Sequence, residues 1–200
     1  MPTRGTAGNT AAECLTRVLV LQVFGQVFGQ LFGWMGGTRP GFNIDDATPQ
    51  DLPACGDIHR ESFAQAWEDG TLATMLKTKG TAALVARASK PADHPVRGFL
   101  MYRIAGPEAE ILTIATARKA RRHGAARMLL EEMIRRCLAD RLEEIFLEVD
   151  SGNEAAIRLY RSLGFAKVGE REGYYQLGEN EPAEDGKTGN ALIMRLDLTD

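Results

Sequence analysis

One segment constrains this chain more than any other: Arg118-Lys119-Ala120-Arg121-Arg122-His123-Gly124-Ala125-Ala126. Before it stands Glu110 to Thr116, a run rich in Ile and Thr that reads as a strand. After it, Ala125 to Ala139 carries the period of a long helix. A strand that opens through a basic, glycine-containing loop into a helix N-terminus suits an anion. The first amides of a helix lack intrahelical acceptors and carry the positive end of its dipole. Gly124 and the small Ala125 and Ala126 let a ligand approach that backbone, and Arg121, Arg122 and His123 add charge. A phosphate or pyrophosphate is the expected ligand. Taken alone, the run reads equally well as a solvated basic turn touching nucleic acid. Composition weighs on that choice. Lys and Arg number 24 against 27 Asp and Glu, a net charge of -3, whereas a dedicated nucleic-acid binder is normally basic.

The chain divides at about residue 41. Val18 to Trp34 is free of charge and repeats a four-residue unit, so that Gly25, Gly29 and Gly33 take the spacing of a helix-packing motif. Four readings stay open for this extension: a membrane-contacting helix over residues 18–34, a secretory signal, a peripheral or partner-binding helix, and an upstream stretch preceding a true start at Met35. From Phe42 onward the pattern is that of one domain, 42–198. Strands are expected at Phe42 to Asp45, Ala82 to Ala86, Val96 to Ile104, Glu110 to Thr116, Ile145 to Val149, Ala166 to Glu170 and Ala191 to Leu198. Helices are expected after Thr48-Pro49, around Leu72 to Leu76, over Ala125 to Ala139, and from an Asn153 cap to about Leu163, with Gly164 as the stop. Gly178 to Gly189 reads as an acidic loop. This is an α/β (α+β) pattern: a central mixed, mostly antiparallel sheet flanked by helices. Cys14, Cys55 and Cys137 are too few and odd in number for a disulfide framework, which fits a reducing, cytoplasmic setting. Cys55 and His59, four apart on one helix, could share a metal, but no further ligand stands nearby. Core packing is the stronger reading, and no metal is expected.

Two more residues carry chemistry. Glu148 lies in the apolar strand Ile145-Phe146-Leu147-Glu148-Val149, on the face of Phe146 and opposite Ile145, Leu147 and Val149. A carboxylate there is costly unless it is wet, paired or functional. Tyr160 follows in Ala155-Ala156-Ile157-Arg158-Leu159-Tyr160-Arg161-Ser162-Leu163-Gly164-Phe165. Each has a plain alternative, a strand-end surface glutamate and a core aromatic.

Together, these motifs resemble the GNAT superfamily of acetyl-CoA-dependent N-acetyltransferases, and within it the RimI-type ribosomal-protein-alanine N-acetyltransferases. The resemblance rests on Ile111 to Thr116, Arg121 to Ala126, Leu147-Glu148-Val149, Asn153 to Ile157, Leu159 to Phe165, Arg171 with Gly173-Tyr174-Tyr175, and Ala191 to Met194. It covers about 42–198. It implies the GNAT acyl-CoA N-acyltransferase fold and acetyl-CoA as co-substrate. The pantetheine arm would lie along Ile114, Ala115 and Thr116. The pyrophosphate would sit on Arg121, Arg122, His123, Gly124, Ala125 and Ala126, with Asn153 as a further contact. It implies Glu148 as general base and Tyr160 as general acid in a direct transfer to a protein α-amine, most closely the N-terminal alanine of a small-subunit ribosomal protein. Arg118 stands where the family has Pro, Arg121 where it has Gln, and Ala126 where it has Gly. The loop from Gln176 to Asn190 is longer and more acidic than usual. Two other activities are compatible with the pattern: acetylation of lysine side chains or a small amine, and acyl-CoA binding without catalysis.

Overall fold

The structure, a computed structural model, describes residues 41–67, 70–90, 93–172 and 190–199. The extension with its 18–34 run, the tyrosine pair Tyr174-Tyr175 and the acidic 178–189 loop lie outside them. Strands are β1 (Phe42–Asp46), β2 (Thr81–Ala88), β3 (Val96–Ala105), β4 (Glu108–Thr116), β5 (Glu144–Asp150), β6 (Ala166–Arg171) and β7 (Ala191–Asp197). Helices are α1 (Leu52–Ser62), α2 (Thr71–Leu76), α3 (Ala125–Ala139) and α4 (Glu154–Arg161), with 3₁₀ turns at Pro49–Asp51 and Arg118–Ala120. Each expected element is present. Phe63 falls outside α1 and ends it, its N–H bonding the His59 carbonyl. The helix expected to reach Leu163 stops at Arg161, and Gly164 takes a left-handed φ of +96° at the exit.

The strands form one sheet in the order β1-β2-β3-β4-β5-β7-β6, and only β4 and β5 run parallel. The main core lies on the face under α3 and α4. There Leu129, Leu130, Met133, Ile134 and Cys137 of α3 meet Leu84, Leu100, Ile145, Leu147, Val149, Tyr160 and Met194. Their spacing puts one stripe of α3 on the sheet and leaves Glu131, Glu132, Arg135 and Arg136 outward. A smaller core on the other face joins Cys55 and Ile58 of α1 and Leu72 of α2 to Ala83, Val85, Phe99, Met101 and Ala115.

Strand β4 serves both cores. Its pairing with β3 slips between Met101 and Tyr102, which face Thr113 and Ile111, so Leu112 is an inserted residue. Ala109 and Ile111 pack into the α3/α4 core. Beyond the bulge, Ala115 packs into the α1/α2 core and Leu112 lies against it. A one-residue insertion has sent the buried side chains of one strand to opposite faces.

Candidate active site

The parallel pairing of β4 and β5 runs from Glu108↔Glu144 to Ile111↔Leu147 and stops. Both strands continue, β4 to Thr116 and β5 to Asp150. From Leu112 onward β4 still pairs with β3, through Thr113↔Met101, Ile114↔Leu100, Ala115↔Phe99 and Thr116↔Gly98. On its other side, among the described residues, the backbone groups of this stretch pair with no strand. The bulge that twists β4 and the parting of the two strands fall at the same residues.

Ile114, Ala115 and Thr116 line this open edge. Ile114 is half-buried against the α3/α4 core, Ala115 is buried on the other face, and Thr116 is half-buried. What they offer at the edge is main chain.

The basic loop caps the wide end. Arg122 takes a left-handed φ of 62° and Gly124 one of 92°, and the His123 N–H donates to the Ala120 carbonyl at 3.4 Å. Gly124 is the N-cap of α3 and supplies no side chain, which leaves the amides of Ala125, Ala126 and Arg127 without intrahelical acceptors. Arg121, Arg122 and His123 are exposed around them, and the Arg121 carbonyl lies 2.8 Å from His123 Nδ1. Ala125 is buried, so its contribution to any ligand is its N–H. A cavity of about 440 Å³ adjoins the loop, lined by Arg97, Arg118, Lys119, Ala117 and Glu61. Arg118 and Lys119 thus extend the positive field beyond the loop.

Glu148 is the first residue of β5 past the last pair with β4. The burial pattern confirms its placement: Ile145, Leu147 and Val149 are buried while Phe146 and Glu148 are half-buried on the opposite face. Its side chain is 26% exposed, and Arg171 at the end of β6 reaches it, Nη2 to Oε1 3.2 Å. Tyr160 sits on the far side of the sheet. It is buried on α4 within the α3/α4 core, edge-on to Phe165 with ring centroids 5.8 Å apart. The two residues therefore stand on opposite faces of the sheet, Glu148 on β5 where the strands separate and Tyr160 in the core under α3 and α4. Asn153 links them in sequence. Its Oδ1 accepts the Ala156 N–H at 3.1 Å to cap α4, and its own N–H donates to the Asp150 carbonyl at 2.9 Å.

Cys55 and His59 are both core residues. His59 Nδ1 accepts the Trp67 N–H at 3.3 Å, and its ring stacks on Trp67 at 4.6 Å. Burial pushes the His59 pKa down, which favours the neutral form that can accept that bond. Three features escaped the sequence. The Glu148–Arg171 pair requires knowing that β7 lies between β5 and β6. The Leu112 bulge leaves no turn residue as a marker. Arg127 ties α3 to α4 through Ser162 Oγ at 2.6 Å, a contact between helices that no local pattern marks.

Known proteins share this fold. The Acetyltransferase (GNAT) family matches residues 47–165. The [ribosomal protein bS18]-alanine N-acetyltransferase of Salmonella typhimurium is 32% identical over 149 residues, 74% of this chain and 93% of that protein. The N-alpha-acetyltransferase of Saccharolobus solfataricus is 31% identical, covering 70% of this chain and 89% of its own length. The crystal structure of the ribosomal-protein-S18-alanine N-acetyltransferase from Escherichia coli superposes with a TM-score of 0.68 at 28% identity, over 80% of this chain and 95% of that one. With the parted strands, the basic loop at the start of α3 and these relatives together, the chain belongs to the GNAT family and is an acetyl-CoA-dependent N-acetyltransferase.

Proposed function

We propose that this enzyme acetylates the N-terminal α-amino group of a protein, the N-terminal alanine of a small-subunit ribosomal protein, with Glu148 as base and Tyr160 as acid. The observation that carries the reading is the position of Glu148, a half-buried carboxylate at the point where β4 and β5 part. Relatives named as ribosomal-protein-alanine and N-alpha acetyltransferases support the choice of amine.

Acetyl-CoA fits the residues present. Its pantetheine is an extended chain with two amides, matching the open backbone edge of Leu112 to Thr116. Its pyrophosphate matches the loop from Arg121 to Ala126 and the open amides at the start of α3, and Asn153, at the head of α4, would be a further contact. When bound, it supplies an activated acetyl thioester. The open β4 amides would then polarise the thioester carbonyl. Glu148 would remove a proton from the amine as the N–C bond forms. Tyr160 would give its proton to the departing thiolate as the C–S bond breaks. An α-amine has a pKa of ~8 and lysine ~10.4, so at pH 7 roughly a tenth of the former is neutral and well under a thousandth of the latter. One carboxylate is an adequate base for an N-terminal amine. Cys55 and Cys137, free and buried, suit a reducing cytoplasm. Among the described residues no helix is long and apolar enough to cross a membrane.

The test is acetyl transfer to two peptides, one beginning with alanine and one with a blocked N-terminus and an internal lysine. Acetylation of the first alone is the expected result. Transfer only to the second would make this a lysine acetyltransferase, and transfer to neither would leave acyl-CoA binding without catalysis.

A further inference from the structure

Among the described residues, two buried side-chain oxygens have no hydrogen-bond partner: Ser62 Oγ and Thr113 Oγ1. An orphaned buried hydroxyl burdens a fold and calls for a reason. Ser62 has a local answer. It ends α1, where a rotated serine hydroxyl can reach the carbonyl one turn back. Thr113 lies in a strand and has no such turn.

Its position is specific. Thr113 is opposite Met101, a member of the α1/α2 core, so its side chain lies on that face of the sheet. Glu148 alternates with Leu147 and Val149 of the α3/α4 core, so it lies on the same face as Thr113. Thr113 is the first polar side chain on that face of β4 beyond the last β4–β5 pair, and Glu148 the first on β5. The bulge at Leu112 is what brings Thr113 to this face. A buried hydroxyl with an unused lone pair and a carboxylate thus share one face, on two strands just past their last pair.

We infer that Thr113 is a substrate-contact residue whose Oγ1 accepts one N–H of the incoming α-amine while Glu148 accepts the other. This rests on the reading of Glu148 as the base. A neutral primary amine has two N–H bonds and one lone pair in tetrahedral directions. With one N–H on Glu148 and the other on Thr113, the lone pair is turned to the thioester carbon. As the N–C bond forms, Glu148 takes its proton, and the N–H on Thr113 is the one the product amide keeps. A secondary amine has a single N–H and cannot use both residues.

The experiment compares Thr113→Val and Thr113→Ser with the wild type on peptides beginning with alanine and with N-methylalanine. Valine matches threonine in shape and replaces the orphaned hydroxyl with a methyl. Thr113→Val is expected to melt a few degrees higher and to keep its KM for acetyl-CoA. Its kcat/KM on the alanine peptide should fall about tenfold, with a smaller loss on the N-methyl peptide, and Thr113→Ser should restore it. Full activity of Thr113→Val on alanine, or an equal loss on both peptides, overturns the inference. If the valine variant does not fold, Thr113→Ala is read in the same way. Glu148→Gln separates the two claims. Full turnover in Glu148→Gln overturns the base, whereas its loss beside an unimpaired Thr113→Val overturns Thr113 alone.

Discussion

The two faces of the sheet are built to different rules. The α3/α4 face holds the larger core, with aliphatic side chains from five sheet strands and both helices closing on one another. The α1/α2 face is smaller, and the buried polar side chains of the described residues, Asp51, His59 and Thr113, all fall on it. Asp51 is fully answered: its Oδ2 accepts the Thr48 N–H, the Thr48 hydroxyl and an Arg87 Nη2–H, each at 2.8 Å. Burial pushes its pKa up, but the Thr48 and Arg87 bonds outweigh that and hold it low. His59 is answered by Trp67, and Thr113 is not answered. One face is organised for stability, and the other accepts polar groups at some expense in stability.

That contrast can be broken by substitution. Leu129 is fully buried in the α3/α4 core. Leu129→Ala should destabilise the fold by about 3–4 kcal/mol while kcat per folded molecule stays near wild type, as denaturant melts and active-site-normalised rates would report. A large fall in kcat without a loss of stability would erase the distinction. On the opposite face Glu148→Gln should lower kcat by ~100-fold or more, with acetyl-CoA affinity and melting temperature unchanged. Unchanged turnover at neutral pH would show that Glu148 is not the base.

A smaller effect sharpens the stability side. The hydrogen bond from Arg135, with a second from Arg136, holds the Glu132 carboxyl at a pKa of about 2 against its partial burial. A carboxylate whose pKa is lowered by folding contributes stability above its unfolded value, and loses it as pH falls through the folded one. Since Arg135 is largely exposed, screening reduces the effect. Glu132→Gln should cost about 1 kcal/mol at pH 7, and the gap from wild type should close between pH ~4.3 and about 2. A gap constant across that range, in melts taken at each pH, would count against the pairing.

The legibility of these features differs for physical reasons. Periodicity disclosed the long stripe of α3, and the Asn153 cap with the Gly164 stop bounded α4, because those signals are local. The basic loop was legible for the same reason. The parting of β4 from β5 was not, since Leu112-Thr113-Ile114 is uniformly strand-forming and the register slip leaves no mark in composition. Arg171 matched a family motif, yet its contact with Glu148 depends on the strand order across β7. Thr113 carries no mark in the sequence, because one threonine in a strand is ordinary. Only its burial without a partner distinguishes it.

The inserted Leu112 has a consequence for cooperativity. Because β4 crosses from one core to the other within three residues, neither layer can detach without stripping the strand the other needs. The helices on the two sides are thereby bound into one unfolding unit, although their cores do not mix. The insertion falls where β4 parts from β5, so the open edge and the tie between the two layers share one residue.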